Sequence, residues 1–316
     1  LLLECWVIRM KALICYNPKS GKQKVGNNLD YIKKRLKTKY ENIDVYTTTG
    51  PKSIVGYLKE NAKKYDLILI SGGDGTLNET ITGIIEQESR PVISYIPGGT
   101  CNDVGSMLNL KKRIKKAMDL TLSGEVVKMD ICQANNKYFA YVVGAGKFID
   151  ISYVTPHKLK KRLGKVAYFL YGAKELNSRK KYHLSFEFDG TKKEGNYYVF
   201  LGMNSDHISG FHIFRKKHIK LNDGLINLTL IPANGLASFP KLITFMLRGE
   251  RAFFKYGIEH YTVSEVDVKS SEAIDFNVDG ELAFVSDECH IKVLKEQMRI
   301  IAVSYTHLTL PTNREV

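Results

Sequence analysis

A strand that runs directly into a glycine-rich turn and then into a helix is the feature that most constrains the fold. Residues 66–70, a mostly apolar run, lead without a break into Ser71-Gly72-Gly73-Asp74-Gly75-Thr76. Apolar residues then recur at helical spacing, at Leu77, Ile81, Ile84 and Ile85. Glycines allow close approach of the backbone, and the following helix presents free N–H groups. The sequence therefore predicts an anion-binding turn at the end of a buried strand.

The first half of the chain repeats this alternation of strand and helix. Helical stripes separate β-type runs at residues 11–16, 43–47, 66–70 and 92–96. Alternating strands and helices favour a mostly parallel sheet with helices on both faces. Because crossovers between parallel strands are right-handed, we expect an α/β, doubly wound sheet in the N-terminal half.

The second half of the chain is mainly β. Its β-type runs are residues 126–133, 138–143, 182–188, 197–203, 225–231, 261–268 and 274–278. The pairs Asp189-Gly190 and Asp279-Gly280 are typical of tight hairpin turns. We expect two domains, residues 10–128 and 129–303. We expect residues 1–9 and 304–316 to be non-native extensions, because the first strand pattern starts after Met10 and the tail resembles translated adapter sequence.

Composition excludes several classes of protein. The chain is 44% hydrophobic and 25% charged, which is typical of a folded globular protein and neither of a disordered nor of a collagen-like one. The 5 cysteines show no CxxC spacing, which favours the cytosol over a disulfide-bonded or zinc-binding fold. We expect seven histidines without metal-like spacing to be structural or exposed: His157, His183, His207, His212, His218, His260 and His290.

Two further glycine-bearing loops follow the first and the fourth strand. These are Asn17-Pro18-Lys19-Ser20-Gly21 and Pro97-Gly98-Gly99-Thr100-Cys101-Asn102-Asp103. Ligands of open α/β sheets bind outside the carboxyl ends of the strands, so we expect all three loops to converge on one ligand. The chain has neither a Walker A pattern nor a GxGxxG fingerprint, so the common nucleotide-binding motifs do not apply.

Six motifs in order give the chain a resemblance to a known family. Besides the three loops, they are Lys128-Met129-Asp130, Asn222-Asp223-Gly224 and Asn277-Val278-Asp279-Gly280-Glu281. Nearly end to end, the chain resembles the diacylglycerol kinase catalytic-domain family of soluble bacterial lipid kinases, which are related to sphingosine and ceramide kinases. The resemblance implies a fold like that of NAD kinase and diacylglycerol kinase, with a sandwich-like second domain across a cleft from the first.

The same resemblance implies ATP and Mg²⁺ as cofactors and a set of site residues. It makes Asp74 the residue that organises Mg²⁺ and Glu281 the general base on the lipid hydroxyl, although the spacing of Glu281 alone favours a solvated hairpin glutamate. The residues expected to hold ATP are Asn17, Pro18, Lys19, Ser20, Gly21, Thr48, Gly72, Gly73, Asp74, Gly75, Thr76, Asn78 and Thr100.

Two metal sites follow from the resemblance. Asp103 and Asp130 would join Asp74 in holding Mg²⁺ partly through water, with helix capping or loop bonding as the alternative for both. Asp223 would hold a second, structural Mg²⁺ together with the main-chain carbonyls of Lys220 and Leu225. Because Asn222 departs from the commoner Asp-Asp-Gly, a plain turn is the alternative there.

The chain is strongly basic, with 47 Lys+Arg against 33 Asp+Glu and a formal charge of +14. This charge favours contact with an anionic surface, and two basic amphipathic stretches, at residues 157–181 and 238–256, are candidates for it. Ordinary solvated helices are the alternative reading of both stretches. We expect a cytoplasmic protein in peripheral contact with anionic membrane, with no nucleic-acid partner and with a homodimer left open.

The function expected from these observations is ATP-dependent phosphorylation of a lipid hydroxyl, most simply of diacylglycerol to phosphatidic acid. NAD kinase is one alternative, because it shares the Gly-Gly-Asp-Gly-Thr signature. Residues 17–21, Asn78-Glu79 and Glu281 fit the lipid kinases better. The other alternative is a basic protein that binds membrane or nucleic acid and keeps a relic kinase fold, for which the presence of Asp74 and Glu281 gives little support.

Overall fold

The computed structural model describes residues 10–18, 25–146, 181–215 and 220–303. Its first four strands are β1 (Lys11–Tyr16), β2 (Asn42–Thr47), β3 (Leu67–Gly72) and β4 (Val92–Pro97). They pair in parallel in the order β2-β1-β3-β4. Every residue of β3 is buried, which agrees with its continuous run of apolar side chains. The fold is thus mixed α/β at its N-terminal end.

Five helices of this half are α1 (Leu29–Leu36), α2 (Ser53–Asn61), α3 (Asp74–Ile84), α4 (Asp103–Met107) and α5 (Ile114–Ser123). They lie on both faces of the parallel strands. Leu67 and Leu69 of β3 share one apolar cluster with residues of α1 and α5. Ile68 and Ile70 share another with residues of α2 and α3. This arrangement follows from side chains that point to alternate faces of a strand.

The rest of the described chain is rich in strands. These are β5 (Glu125–Ala134), β6 (Lys137–Phe139), β7 (Val142–Gly146), β8 (Tyr182–Phe188), β9 (Thr191–Met203), β10 (His207–Ile208), β11 (Phe211–His212), β12 (Ile226–Pro232), β13 (Glu259–Val263), β14 (Glu265–Val278) and β15 (Glu281–Ala302). Strands β7 and β8 each pair antiparallel with both β9 and β14, so the four strands close a ring. Phe186, Phe200 and Phe276 pack together in the apolar cluster that these strands share.

Strand β15 joins the two halves of the molecule. It leaves the turn after β14, pairs with β14 and then with β5, and ends with Ile300 paired in parallel to Ile93 of β4. The sequence did not predict this strand, because exposed and half-buried residues are mixed along it without a regular alternation. Both predicted turns are confirmed: Asp189-Gly190 joins β8 to β9, and Asp279-Gly280 joins β14 to β15. All four turn residues have a positive φ.

Of the two predicted basic stretches, the structure describes the second one and only the last residue of the first. Residues 157–180 lie outside the described residues. In the second stretch, α6 (Ser238–Arg248) and α7 (Phe253–Tyr256) form, and α6 buries Leu242 and Phe245 while Arg248 stays exposed. Among the described residues, no helix combines the length and the apolar character that a transmembrane span requires.

Candidate active site

The chain segments that follow β1, β2, β3 and β4 lie together at the carboxyl edge of the parallel strands. The Asn17 amide lies 3.4 Å from the Ser71 carbonyl, and the Gly98 amide donates to the Gly72 carbonyl at 2.7 Å. The Thr48 amide donates to the carbonyl of Tyr16 at 3.1 Å. The main chain around the predicted ATP residues Asn17, Pro18, Thr48, Gly72 and Gly73 is therefore gathered at one edge. Lys19, Ser20 and Gly21 lie outside the described residues.

Two glycines from neighbouring loops touch each other through their backbones. A Cβ on Gly99 would lie 2.5 Å from the Gly73 Cα, and one on Gly73 would lie 3.3 Å from the Gly99 Cα. Asn102 fixes the second loop, since its side chain accepts from the Gly99 amide at 2.7 Å and donates to the Gly99 carbonyl at 2.8 Å. Asn102 itself adopts a left-handed φ of 55°. The pair of loops is thus a cradle of main chain without room for side chains, and Thr100 is exposed at its rim.

Helix α3 starts immediately after this cradle. No side-chain hydrogen bond caps its N-terminus, at Gly73, although the Thr76 amide donates to the Gly73 carbonyl at 3.1 Å. The Thr76 side chain lies directly against Gly72, where it fills the space that a Cβ would need. A free helix N-terminus next to two glycine loops is suited to hold phosphate oxygens.

Two buried carboxylate oxygens at this edge lack a hydrogen-bond partner among the described residues: Asp74 Oδ1 and Asp103 Oδ2. Burial raises the pKa of Asp74, although backbone amides of residues 102–104 oppose this shift. Burial and then the charge of Asp74 raise the pKa of Asp103 to about 7. Buried oxygens without a donor are costly unless a cation satisfies them. Because Mg²⁺ takes oxygen ligands, Asp74 and Asp103 fit the predicted ion.

Asp130 is hydrogen-bonded to the turn that contains Asp223. Its two carboxylate oxygens accept from the Gly224 amide at 2.6 Å and from the Glu296 amide at 2.7 Å. Burial raises the pKa of Asp130, and those two amides oppose the shift. Asp223 Oδ1 accepts from the Leu225 amide at 3.1 Å, which closes a tight turn. Asp130 therefore stabilises this turn, and its grouping with Asp74 in one metal site stays a prediction.

Glu281 lies next to the first turn of α3. A Cβ on Gly75 would be 3.2 Å from Glu281 Oε1, so the carboxylate lies beside the helix that begins at the cradle. A second acid is close to it: Glu79 accepts from the Lys52 amide at 2.8 Å. The pKa of Glu79 is raised by burial and further by the charge of Glu281. The chain thus brings the predicted base, 206 residues later in the sequence, to the predicted phosphate turn.

Asp279 holds the Glu281 turn in place. Its buried carboxylate accepts from the amides of Ala140, Tyr141 and Val142 at 2.8, 3.0 and 3.1 Å, and from Asn78 Nδ2 at 2.9 Å. Burial nevertheless raises the pKa of Asp279 to about 6. The sequence did not single out this role, because exposed hairpin turns carry the same Asp-Gly pair.

Asn78, predicted as an ATP ligand, uses its amide nitrogen on protein partners. Besides Asp279 it donates to the carbonyl of Tyr138, at 2.8 Å. Both contacts lie outside the N-terminal sheet, so Asn78 joins α3 to the second half of the chain. Its place among the ATP ligands stays a prediction, and its observed contacts are those of a positioning residue.

Comparison with known proteins supplies the family. The family model described as "Diacylglycerol kinase catalytic domain" matches residues 11–134. The diacylglycerol kinase of Bacillus subtilis (strain 168) is 33% identical over 273 residues, which cover 86% of this chain and 89% of the relative. The diacylglycerol kinase of Staphylococcus aureus (strain MRSA252) is 32% identical over 293 residues, which cover 90% of this chain and 92% of the relative.

Solved structures agree with these relatives. A crystal structure of a diacylglycerol kinase from Bacillus anthracis str. Sterne is 26% identical, with a TM-score of 0.75 over 92% of this chain and 96% of the other. Another crystal structure from that organism is 25% identical, with a TM-score of 0.81 over 98% of this chain and 100% of the other. The resemblance seen in the motifs is therefore confirmed over most of the length, and the chain belongs to the diacylglycerol kinase family.

Proposed function

We propose that the protein is an ATP-dependent lipid kinase that transfers the γ-phosphate of ATP to the hydroxyl of diacylglycerol and so forms phosphatidic acid. The observation that carries this proposal is the position of Glu281 Oε1, 3.2 Å from where a Cβ of Gly75 would lie. An acid at that point faces the start of the helix that follows the phosphate cradle. Family membership supports the same assignment.

The cradle would hold the phosphates of ATP through its backbone. The uncapped start of α3, beside the backbone contact between Gly73 and Gly99, would supply amide donors there. Residues 17–21 and Thr48 would complete this set. Phosphoryl transfer depends chiefly on alignment and on neutralising charge, so a rigid cradle of donors supplies what the reaction needs.

Asp74 and Asp103 would hold the Mg²⁺ that comes with ATP, through the two buried oxygens that lack donors. The ion, when bound, neutralises charge that develops on the transferred phosphate. We propose that Asp223, with the carbonyls of Lys220 and Leu225, binds a second, structural Mg²⁺. Burial and the nearby charge of Asp223 both raise the pKa of Asp130, and these two neighbouring acids support that second site, with the plain turn as the alternative.

Glu281 would accept the proton of the lipid hydroxyl as that oxygen attacks the γ-phosphate. The turn before Glu281 is fixed by the hydrogen bonds that Asp279 accepts from Asn78 and from the Ala140 amide. These bonds position the Glu281 carboxylate relative to α3. Residues 10–128 would then act as the ATP-binding domain and residues 129–303 as the domain that binds the lipid. NAD kinase fits less well, because the Glu281 position matches the lipid kinases.

We further propose that the protein meets its substrate as a cytoplasmic enzyme in peripheral contact with anionic membrane. The +14 charge and the exposed Arg248 and Arg251 around α6 support this contact. A bilayer presents diacylglycerol at its surface, and each cationic side chain near an anionic surface contributes about 1 kcal/mol. A homodimer is compatible with this arrangement.

A substrate panel tests the proposal directly. The full chain is incubated with ATP and Mg²⁺ and, in separate reactions, with diacylglycerol, phosphatidylglycerol, a sphingoid base and NAD. We expect phosphate transfer to diacylglycerol well above that to the other three acceptors. Transfer to NAD in preference would establish the NAD kinase alternative. Salt-sensitive binding to polyanions without transfer to any acceptor would establish the relic-kinase alternative.

A further inference from the structure

A tight β-hairpin places two histidines side by side. In it, β10 pairs antiparallel with β11, so that His207 is directly opposite His212 and Ile208 is opposite Phe211. The two-residue turn consists of Ser209 and Gly210, whose φ values of 50° and 76° suit such a hairpin. Residues directly opposite each other project from the same face. The two imidazole rings accordingly meet, with centroids 4.8 Å apart.

A buried aspartate lies against both rings. Asp206 is 2% exposed, and its Oδ1 is 2.6 Å from His207 Nδ1 while its Oδ2 is 3.5 Å from His212 Nε2. One ligand atom from each of the three residues lies within 4.8 Å of the other two. The expectation that these histidines are structural or exposed does not account for their grouping with Asp206. The spacing in the sequence did not reveal this grouping, because it depends on a tight turn that places His207 opposite His212.

The three groups match the ligands of a zinc site. Zinc takes imidazole nitrogens and carboxylate oxygens at about 2.0 to 2.2 Å in a tetrahedron, which separates neighbouring ligand atoms by about 3.4 Å. Asp206 Oδ2 and His212 Nε2 are 3.5 Å apart, close to this separation. His207 Nδ1 would exchange its hydrogen bond to Asp206 for a bond to the ion. His212 is half exposed, so water can reach the fourth position.

Other histidine–acid pairs of the chain show what an ordinary pair looks like. His183 meets Glu194 at 3.1 Å and His290 meets Asp267 at 2.8 Å, and in both pairs each side chain is at least two-fifths exposed. A single histidine meets a single solvated acid in each. The Asp206 cluster differs, because a nearly fully buried carboxylate meets two histidines on one rigid hairpin.

We propose that Asp206, His207 and His212 bind one Zn²⁺, with water as the fourth ligand. The site lies beside the candidate active site, since the Gly210 amide of the same turn donates to Asp103 Oδ1 at 2.7 Å. A bound ion would tie both strands of the hairpin to Asp206 and so fix the turn that contacts Asp103.

Metal binding by the full chain, freed of any purification tag and of metal by chelator dialysis, tests this inference. Zn²⁺ is titrated by calorimetry, and Co²⁺ is added as a spectroscopic substitute whose visible absorption reports tetrahedral ligation. With Mg²⁺ in excess to fill the two proposed Mg²⁺ sites, we expect one saturable Zn²⁺ site and a tetrahedral Co²⁺ spectrum. Because loss of an outer-shell partner alone lowers metal affinity by about 10- to 100-fold, His212→Asn should lower it by about 100-fold or more.

His183→Asn is the matched control, since it removes another histidine that pairs with an acid. It should leave both the affinity and the Co²⁺ spectrum unchanged. Thermal unfolding of the metal-free proteins verifies that His212→Asn folds, which its half-exposed side chain favours. The inference is overturned if the wild-type chain shows no saturable Zn²⁺ site, or if His212→Asn binds Zn²⁺ as tightly as the wild type.

Discussion

Asn78 Nδ2 donates a hydrogen bond of 2.9 Å to Asp279 Oδ2, and this contact joins residues 201 positions apart in the chain. Asn78 lies one turn into α3, the helix that begins at the phosphate cradle, and Asp279 lies two residues before Glu281. The bond therefore sets the distance between the start of α3 and the hairpin that carries the proposed base.

Asn78→Ala should weaken both the fold and the turnover. It removes one donor from a buried carboxylate, which costs about 1 to 3 kcal/mol. We expect kcat to fall while the KM for ATP changes little, because the cradle itself stays intact. Asn61→Ala is the control, since Asn61 bonds only within its own segment, to Tyr57 and Lys64, in the contacts described. Loss of stability without any change in kcat would contradict the positioning role.

Gly75→Ala should lower turnover without lowering the stability of the fold. Gly75 is helical without a positive φ, so alanine should stabilise α3 by up to about 1 kcal/mol. Its Cβ would lie 3.2 Å from Glu281 Oε1 and push that flexible carboxylate aside. We expect kcat to fall by roughly 10- to 100-fold, the order expected of a small misplacement of a reacting group. Gly56→Ala in α2, where a Cβ meets nothing within 4 Å, should leave kcat unchanged.

Gly99→Ala should push the two glycine loops of the cradle apart. Its Cβ would lie 2.5 Å from the Gly73 Cα, and a backbone atom cannot give way as the end of a side chain can. We expect a loss of about 1 to 3 kcal/mol in the free energy of unfolding and a higher KM for ATP. Gly50→Ala, a loop glycine with open space around it, is the matched control. An unchanged KM for ATP would mean that the contact between the two loops does not shape the nucleotide site.

The free energy of unfolding should depend on pH because burial raises the pKa of Asp279. Its pKa is raised to about 6 in the folded protein, against 3.8 ordinarily, so the folded state binds the proton more tightly. Its contribution to stability is thus fully present below pH 3.8 and is lost as pH rises through 6. The loss amounts to at most about 3 kcal/mol.

Asp279→Asn should abolish this contribution. Unfolding by denaturant, measured from pH 4 to pH 7, should show the advantage of the wild type over Asp279→Asn shrinking as pH rises. Asp275→Asn, a substitution of a less buried aspartate on the same strand, should give a difference that varies less with pH. A wild-type advantage that grows with pH would show that the hydrogen bonds outweigh burial and that the pKa is lowered.

Local features of the chain could be predicted because they depend on short-range patterns. Strand β1 has the predicted bounds, residues 11–16, and Leu77, Ile81 and Ile84 of α3 are buried as their helical spacing predicts. The Asp-Gly turns were predictable because only a few residues tolerate a positive φ at both turn positions. Glycine-rich loops could be placed at one edge because parallel strands all end there.

Long-range contacts could not be predicted in the same way. Nothing in the pattern of β15 indicates that Ile300 pairs with Ile93, since the pairing depends on how the two halves pack. The three amides of residues 140–142 that donate to the buried Asp279 are remote from it in sequence. The meeting of Asp206 with His207 and His212 depends on a turn of Ser209 and Gly210.

Single-turnover transfer of phosphate from ATP to diacylglycerol by Glu281→Gln tests the central claim most directly. Removing a general base typically lowers the rate by about 10² to 10⁴. We predict a loss of this size with nearly unchanged ATP affinity, and normal transfer by Glu288→Gln, an exposed glutamate on the same strand. Transfer by Glu281→Gln at the wild-type rate would contradict the account.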